Sequence, residues 1–169
     1  LMNLKDLDDD TLRAHTEQLV QDERRRTVLI LRHLRENERR RLFSKDKFSS
    51  LHEYMMKKLK YPDDQAVRRI AAMRLMRELP EIAEYLEDGS LNLTNVCMAV
   101  VLFKKEKKAG RACNRDQKRQ VVGQLLGKSV REAVKIVCAI NPEMKKTKVI
   151  TYDSIENEEL REKLLVLKG

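Results

Sequence analysis

Apolar residues recur along most of this chain at intervals of three and four, the spacing that lines one side of an α-helix. A long pattern over residues 11–43 comes first, with Leu12, Leu19, Thr27, Ile30 and Leu34 on one face and Val20, Val28 and Leu31 on its neighbour. Asp8, Asp9 and Asp10 stand at its start, where carboxylates meet the positive end of the helix dipole. After a break at 44–49, Ser50-Leu51-His52-Glu53 has the form of a capping box, the hydroxyl accepting an amide and the glutamate reaching back. The helix it opens runs to Leu59 or Lys60 with Leu51, Met55 and Leu59 on one face. Tyr61-Pro62-Asp63-Asp64 reads as a turn into a third helix that ends at Leu79, because proline fits the first helical position and acids suit the first turn. Ala66, Val67, Ile70, Ala71, Met73, Leu75, Met76 and Leu79 surround much of that helix, which marks it as the central one.

A short helix follows Pro80 and stops at Gly89, a residue suited to a left-handed terminus. Thr94 is placed to cap a helix over 95–107 whose stretch from Val96 to Phe103 is apolar all round and so buried. Asn114 or Arg115 opens the next, with Val121, Val122, Leu125 and Leu126 inward. Ser129-Val130-Arg131-Glu132 is a second capping box, and its helix carries Val130, Ala133, Val134, Ile136, Val137 and Ile140 before Asn141-Pro142 stops it. Residues 143–147 read as a polar linker, 148–152 as a strand without a partner, and 158–168 as a short helix. The expectation is an all-α fold: a bundle of about seven helices with a short C-terminal strand and helix appended. The expected divisions are a long N-terminal helix over 1–48, a helical core over 49–142 and the appendage over 143–169.

Composition narrows this further. The chain has 169 residues, no Trp, 3 Phe and 4 Tyr, so its core is aliphatic. Five Gly and three Pro are too few for the turns of an all-β fold. No apolar run approaches the roughly 18 residues of a membrane span, and no signal sequence is visible, so a cytoplasmic protein without membrane contact is expected. Cys97, Cys113 and Cys138 are an odd, widely spaced set that makes neither a disulfide framework nor a metal knuckle. Cys97 and Cys138 read as small core residues and Cys113 as an exposed thiol.

Charge changes the picture most. Residues 91–145 carry 12 basic and 4 acidic side chains and hold +8 of the net +9. Lys104, Lys105, Lys107, Lys108 and Arg111 form the densest part, continued by Arg115, Lys118 and Arg119. Such a concentration attracts polyanions, and equally it keeps a solvated loop soluble. By contrast, Arg24-Arg25-Arg26 and Arg39-Arg40-Arg41 cannot each form a stripe, since consecutive residues on a helix point about 100° apart. They read as solvated or paired with Glu23, Glu36 and Glu38.

Catalytic and cofactor chemistry is missing from the pattern. His15, His33 and His52 have no second histidine or cysteine at i+3 or i+4, so no metal or other cofactor is expected. The glycines are isolated and make no phosphate loop, and no serine sits in a nucleophile elbow. A helix ending near residue 59, a short turn and the helix to Leu79 do have the spacing of a helix-turn-helix. Gln65, Arg68 and Arg69 are then the residues that would meet bases or phosphates, and an ordinary helical hairpin fits the same spacing. Lys60 stands in the turn where glycine is favoured, and Asp63 and Asp64 put negative charge at the end that would approach phosphates.

Several pieces, in order, resemble the helical region ahead of the nuclease module in bacterial HNH endonucleases. They are Phe48-Ser49-Ser50-Leu51-His52-Glu53-Tyr54, the stretch from Ala66 to Leu75, Leu79-Pro80-Glu81-Ile82, the stretch from Leu86 to Thr94, and Gly127-Lys128-Ser129-Val130-Arg131-Glu132. The part from Ala66 to Leu102 is also similar to the helix-turn-helix region of ParB-like partition proteins. The resemblance implies a DNA-related context. It does not confer cleavage, because that family's nuclease uses histidines and an asparagine around a metal, and no histidine follows His52. The expectation is a non-enzymatic module that associates with double-stranded DNA through Lys104, Lys105, Lys107, Lys108, Arg111, Arg115, Lys118 and Arg119, with Arg68 and Arg69 as readers. The rival expectation is a protein-interaction or homodimerisation module built on the long first helix.

Overall fold

A computed structural model describes residues 3–147. These form an all-α structure of eight helices without a strand: α1 (Asp9–Arg40), α2 (Leu42–Lys45), α3 (Leu51–Lys57), α4 (Asp63–Glu78), α5 (Ile82–Glu87), α6 (Leu93–Lys108), α7 (Arg115–Leu125) and α8 (Val130–Ile140). The strand and helix expected at 148–152 and 158–168 lie outside the described residues. The linker expected at 143–147 is instead mostly a 3-10 turn, Pro142–Lys146, because Met144 is fully buried and pins it down. Two compact units divide the chain after Leu93.

In the first unit, the long helix α1 starts where Asp8 accepts the Thr11 amide at 2.9 Å and the Thr11 hydroxyl at 2.7 Å. It ends three residues sooner than its periodicity suggests. Arg41 turns left-handed (φ 53°), and its amide donates to the Asn37 and Glu38 carbonyls, so Leu42 and Phe43 fall on the separate short helix α2. Only the second half of α1 enters the core. Val28 and Leu31 are fully buried and Leu34 nearly so, whereas Leu19 is 69% exposed and Leu12 and Val20 are 39% exposed. The buried stripe packs against α4 and α5. Ala66 and Ala72 of α4, both fully buried, bring little bulk into the core beside Ile70, Met73 and Leu75. Val67, expected inward, is 43% exposed.

Polar ties fix the ends of these elements. Gln21 Nε2 donates to the Glu87 carbonyl at 3.0 Å, holding the middle of α1 to the end of α5. Gly89 is left-handed (φ +81°), as expected, and the Arg24 guanidinium lies so close that a Cβ there would stand 2.5 Å from its central carbon. Ser50 caps α3, but the return arm differs from the expected box: Glu53 accepts the amide and hydroxyl of Ser49, at 2.7 and 2.6 Å.

In the second unit, α6 buries Asn95, Val96, Cys97, Met98, Ala99, Leu102, Phe103 and Glu106. Val121, Val122 and Leu125 of α7 and Ala133 and Val137 of α8 are buried as well. Ile140, expected inward, is 40% exposed. Both helices open with full capping boxes, Asn114 with Gln117 and Ser129 with Glu132. Asn95 Nδ2 donates to the Lys128 carbonyl at 2.9 Å and so ties α6 to the turn between them.

The uneven burial of α1 predicts an uneven mutational response. Leu31→Ala should cost about 2–5 kcal/mol, as for other fully buried leucines. Leu19→Ala should stay within about 0.5 kcal/mol of the parent. Urea titration followed by circular dichroism measures both.

Candidate nucleic-acid interface

Helical periodicity sorts the lysines of α6. Asn95, Ala99, Leu102 and Glu106 lie on the buried side. Lys104, Lys107 and Lys108 emerge on the opposite side, all exposed, with Lys105 half-buried at the edge. Among the described residues none of these four lysines makes an ion pair. Their position in the last turns also complements the negative end of the helix dipole, which stabilises α6 whether or not a ligand binds.

The helix then closes with Gly110 left-handed (φ +76°). The Gly110 amide donates to the Lys107 carbonyl at 3.1 Å and the Arg111 amide to the Glu106 carbonyl at 2.8 Å, the paired bonds of a Schellman end. This turn returns the Arg111 side chain to its own helix. Its Nε and Nη2 donate to the two oxygens of Glu106 at 2.9 and 3.0 Å, and Asn141 Nδ2 donates to Glu106 Oε1 at 2.6 Å. Arg111 holds the Glu106 carboxyl below its ordinary value of 4.5, against the opposing effect of burial and with help from Asn141. Arg111 is therefore occupied in holding the unit together.

The remaining candidates divide in the same way. Arg115 is exposed and makes no ion pair among the described residues. Lys118 lies half-buried with its ammonium 5.6 Å from the centre of the Phe103 ring. Arg119 faces Asp116 at 3.5 Å on an exposed surface. Both Arg68 and Arg69 belong to the first unit and are half-buried. Arg68 pairs with Asp64 at 3.6 Å, and Arg69 stacks on Tyr61 with 4.5 Å from guanidinium to ring centre. Arg69 Nη1 also donates to the backbone and side-chain oxygens of Gln65, both at 3.4 Å. The turn between α3 and α4 has Lys60 left-handed (φ +62°), the conformation for which glycine is favoured, and His52 Nε2 meets Asp63 at 2.9 Å.

His33 Nδ1 meets the Leu29 carbonyl at 2.7 Å within its own helix. Among the described residues no group of three or more His, Cys, Asp or Glu side chains converges on a point, and no helix is long and apolar enough to cross a membrane. Cys97 is buried as expected; Cys138 is only half-buried, and so is Cys113, which was expected to be exposed. Burial pushes both half-buried thiols up, away from the reactive thiolate. A second cationic surface escaped sequence reasoning: Arg35 and Arg39 of α1 and Arg74 and Arg77 of α4 line one cleft. Its only signal in the chain is two arginine pairs, at i,i+4 and i,i+3, on separate helices. Comparison with known protein families, with characterised proteins and with solved structures finds no match for the chain.

The Glu106 cluster sets a pH dependence. A carboxyl whose folded pKa is depressed contributes stability above its ordinary value and loses it as pH falls through the folded value. Glu106→Gln should therefore lower the melting temperature by several degrees at pH 7. The gap to the parent should narrow as pH drops below about 4.5, which paired calorimetry of parent and variant across that range measures.

Proposed function

We propose that the chain is a non-catalytic helical module that associates with double-stranded DNA, contacting phosphate through the lysine face of α6. The observation that carries this reading is the set Lys104, Lys105, Lys107 and Lys108: four ammonium groups at one helix end, none neutralised by a described carboxylate. Charges left unpaired at such density create a field that condenses on a polyphosphate and releases its counterions. Arg115 belongs with them by exposure; Lys118 and Arg119 contribute charge from the first turns of α7. Arg111 supports this surface by closing α6 rather than by touching DNA, and Arg68 and Arg69 are held by Asp64 and Tyr61. The resemblance to the region ahead of HNH nuclease modules agrees with a DNA-related role.

Binding to a labelled duplex should then fall steeply with salt, and glutamate at 104, 105, 107 and 108 together should weaken it by orders of magnitude for all sequences alike. Fluorescence anisotropy over a salt series measures both; an affinity indifferent to salt would remove the reading.

One observation favours self-association as a second reading. The first half of α1 leaves Leu19 69% exposed and Leu12 and Val20 each 39% exposed. An antiparallel pair of α1 helices centred near Glu17 would set Asp8, Asp9 and Asp10 of one copy beside Arg24, Arg25 and Arg26 of the other. Light scattering over a concentration series should then show a mass twice that of the chain, lost on Leu19→Glu.

A further inference from the structure

The cleft between α1 and α4 is open, about 500 Å³, and lined by Arg35, Glu38, Arg39, Met73, Arg74 and Arg77. Two arginines come from each helix, one pair at i,i+4 and the other at i,i+3, so each pair rises on one side of its helix. Glu38 fixes one of them: it accepts from Arg74 Nη2 at 2.7 Å, tying the two walls. Glu36, just outside, accepts from Arg39 Nε and Nη2 and is shared with Arg40; these two bonds and charges draw its carboxyl down to about 2. The lining itself therefore holds four guanidinium groups and one carboxylate, Glu38. Arg35 and Arg77 are exposed and make no ion pair among the described residues.

Guanidinium groups facing one another across a cleft repel, and the fold gains nothing visible from keeping Arg35 and Arg77 there. An anion between the walls would relieve that repulsion, and the planar fork of arginine matches the oxygens of a phosphate better than a point charge does. The lining has no ring to stack on a base, and its one carboxylate is taken by Arg74, so the cleft recognises charge without sequence. Its two facing pairs are more than one carboxylate can occupy, and a chain of phosphodiesters presents charges in a row. We propose that this cleft seats phosphate groups of the DNA backbone, giving the first unit a contact independent of the α6 lysines. The proposal rests on the reading of the chain as a duplex-associating module.

The test measures binding of the full chain to a short labelled duplex by anisotropy at several salt concentrations. Arg35→Gln with Arg77→Gln should weaken binding by about tenfold or more at low salt and flatten the plot of log affinity against log salt by about 2. Lysine at both positions should restore the slope but only part of the affinity, since charge returns without the fork. Both side chains are exposed and unpaired, so the melting temperature should not move. The charge-matched pair Lys5→Gln with Lys45→Gln, outside the cleft on the same unit, should leave both readings near those of the parent. An unchanged affinity in the arginine variant while the α6 glutamate variant loses binding would overturn the cleft and spare the module. Absence of binding by the parent chain would overturn both. Equal losses in the two glutamine pairs would overturn the cleft as a DNA contact.

Discussion

Each helix of this chain must hide an aliphatic stripe while 37% of its residues are charged. The stripe decides where everything else goes. Once Ala99, Leu102 and Glu106 of α6 turn inward, the lysines between and beyond them have one direction left. Once the buried stripe of α1 packs on α4, arginines of both helices are brought to the rim of the same seam. Cationic surfaces here are a product of core packing, and a change that rotated a helix would redistribute charge as surely as a change of charge.

Glu106 shows how the two demands meet. A carboxylate at a core position is costly unless it is paired and bonded, and this one has both, from Arg111 on the turn that follows α6 and from Asn141 after α8. One acid in a run of bases thereby closes the end of α6 and draws in the segment beyond α8. The consequence for charge is subtraction: Arg111 leaves the pool of free cations, and the four lysines remain.

Much of the architecture was legible in the chain. Asp8, Ser129 with Glu132, and Gly89 mark element ends through hydrogen-bonding chemistry that acts over a few residues, and each stands where expected. What was not legible depends on neighbours far away in sequence. Arg41 carries no glycine-like signal for its left-handed turn, so the end of α1 was hidden. Burial of α1 was overestimated because periodicity reports which side of a helix is apolar, not how far along it a partner extends. The arginine cleft was invisible because residues 35–39 and 74–77 become one feature only when two helices pack. Glu106 had a signal that went unused: it shares the period of Ala99 and Leu102, and Arg111 lies five positions on.

The overhang of α1 carries a further consequence. From Asp9 to the Gln21 tie at Glu87 the helix advances about 18 Å at 1.5 Å per residue, with its own ladder and the Asp8 cap holding it and, among the described residues, no buried side chain. A segment of that length is marginal as an isolated helix in water. Its amides should therefore open to solvent exchange far more readily than those around Leu31, making a single unbroken rod that is rigid at one end and frays at the other.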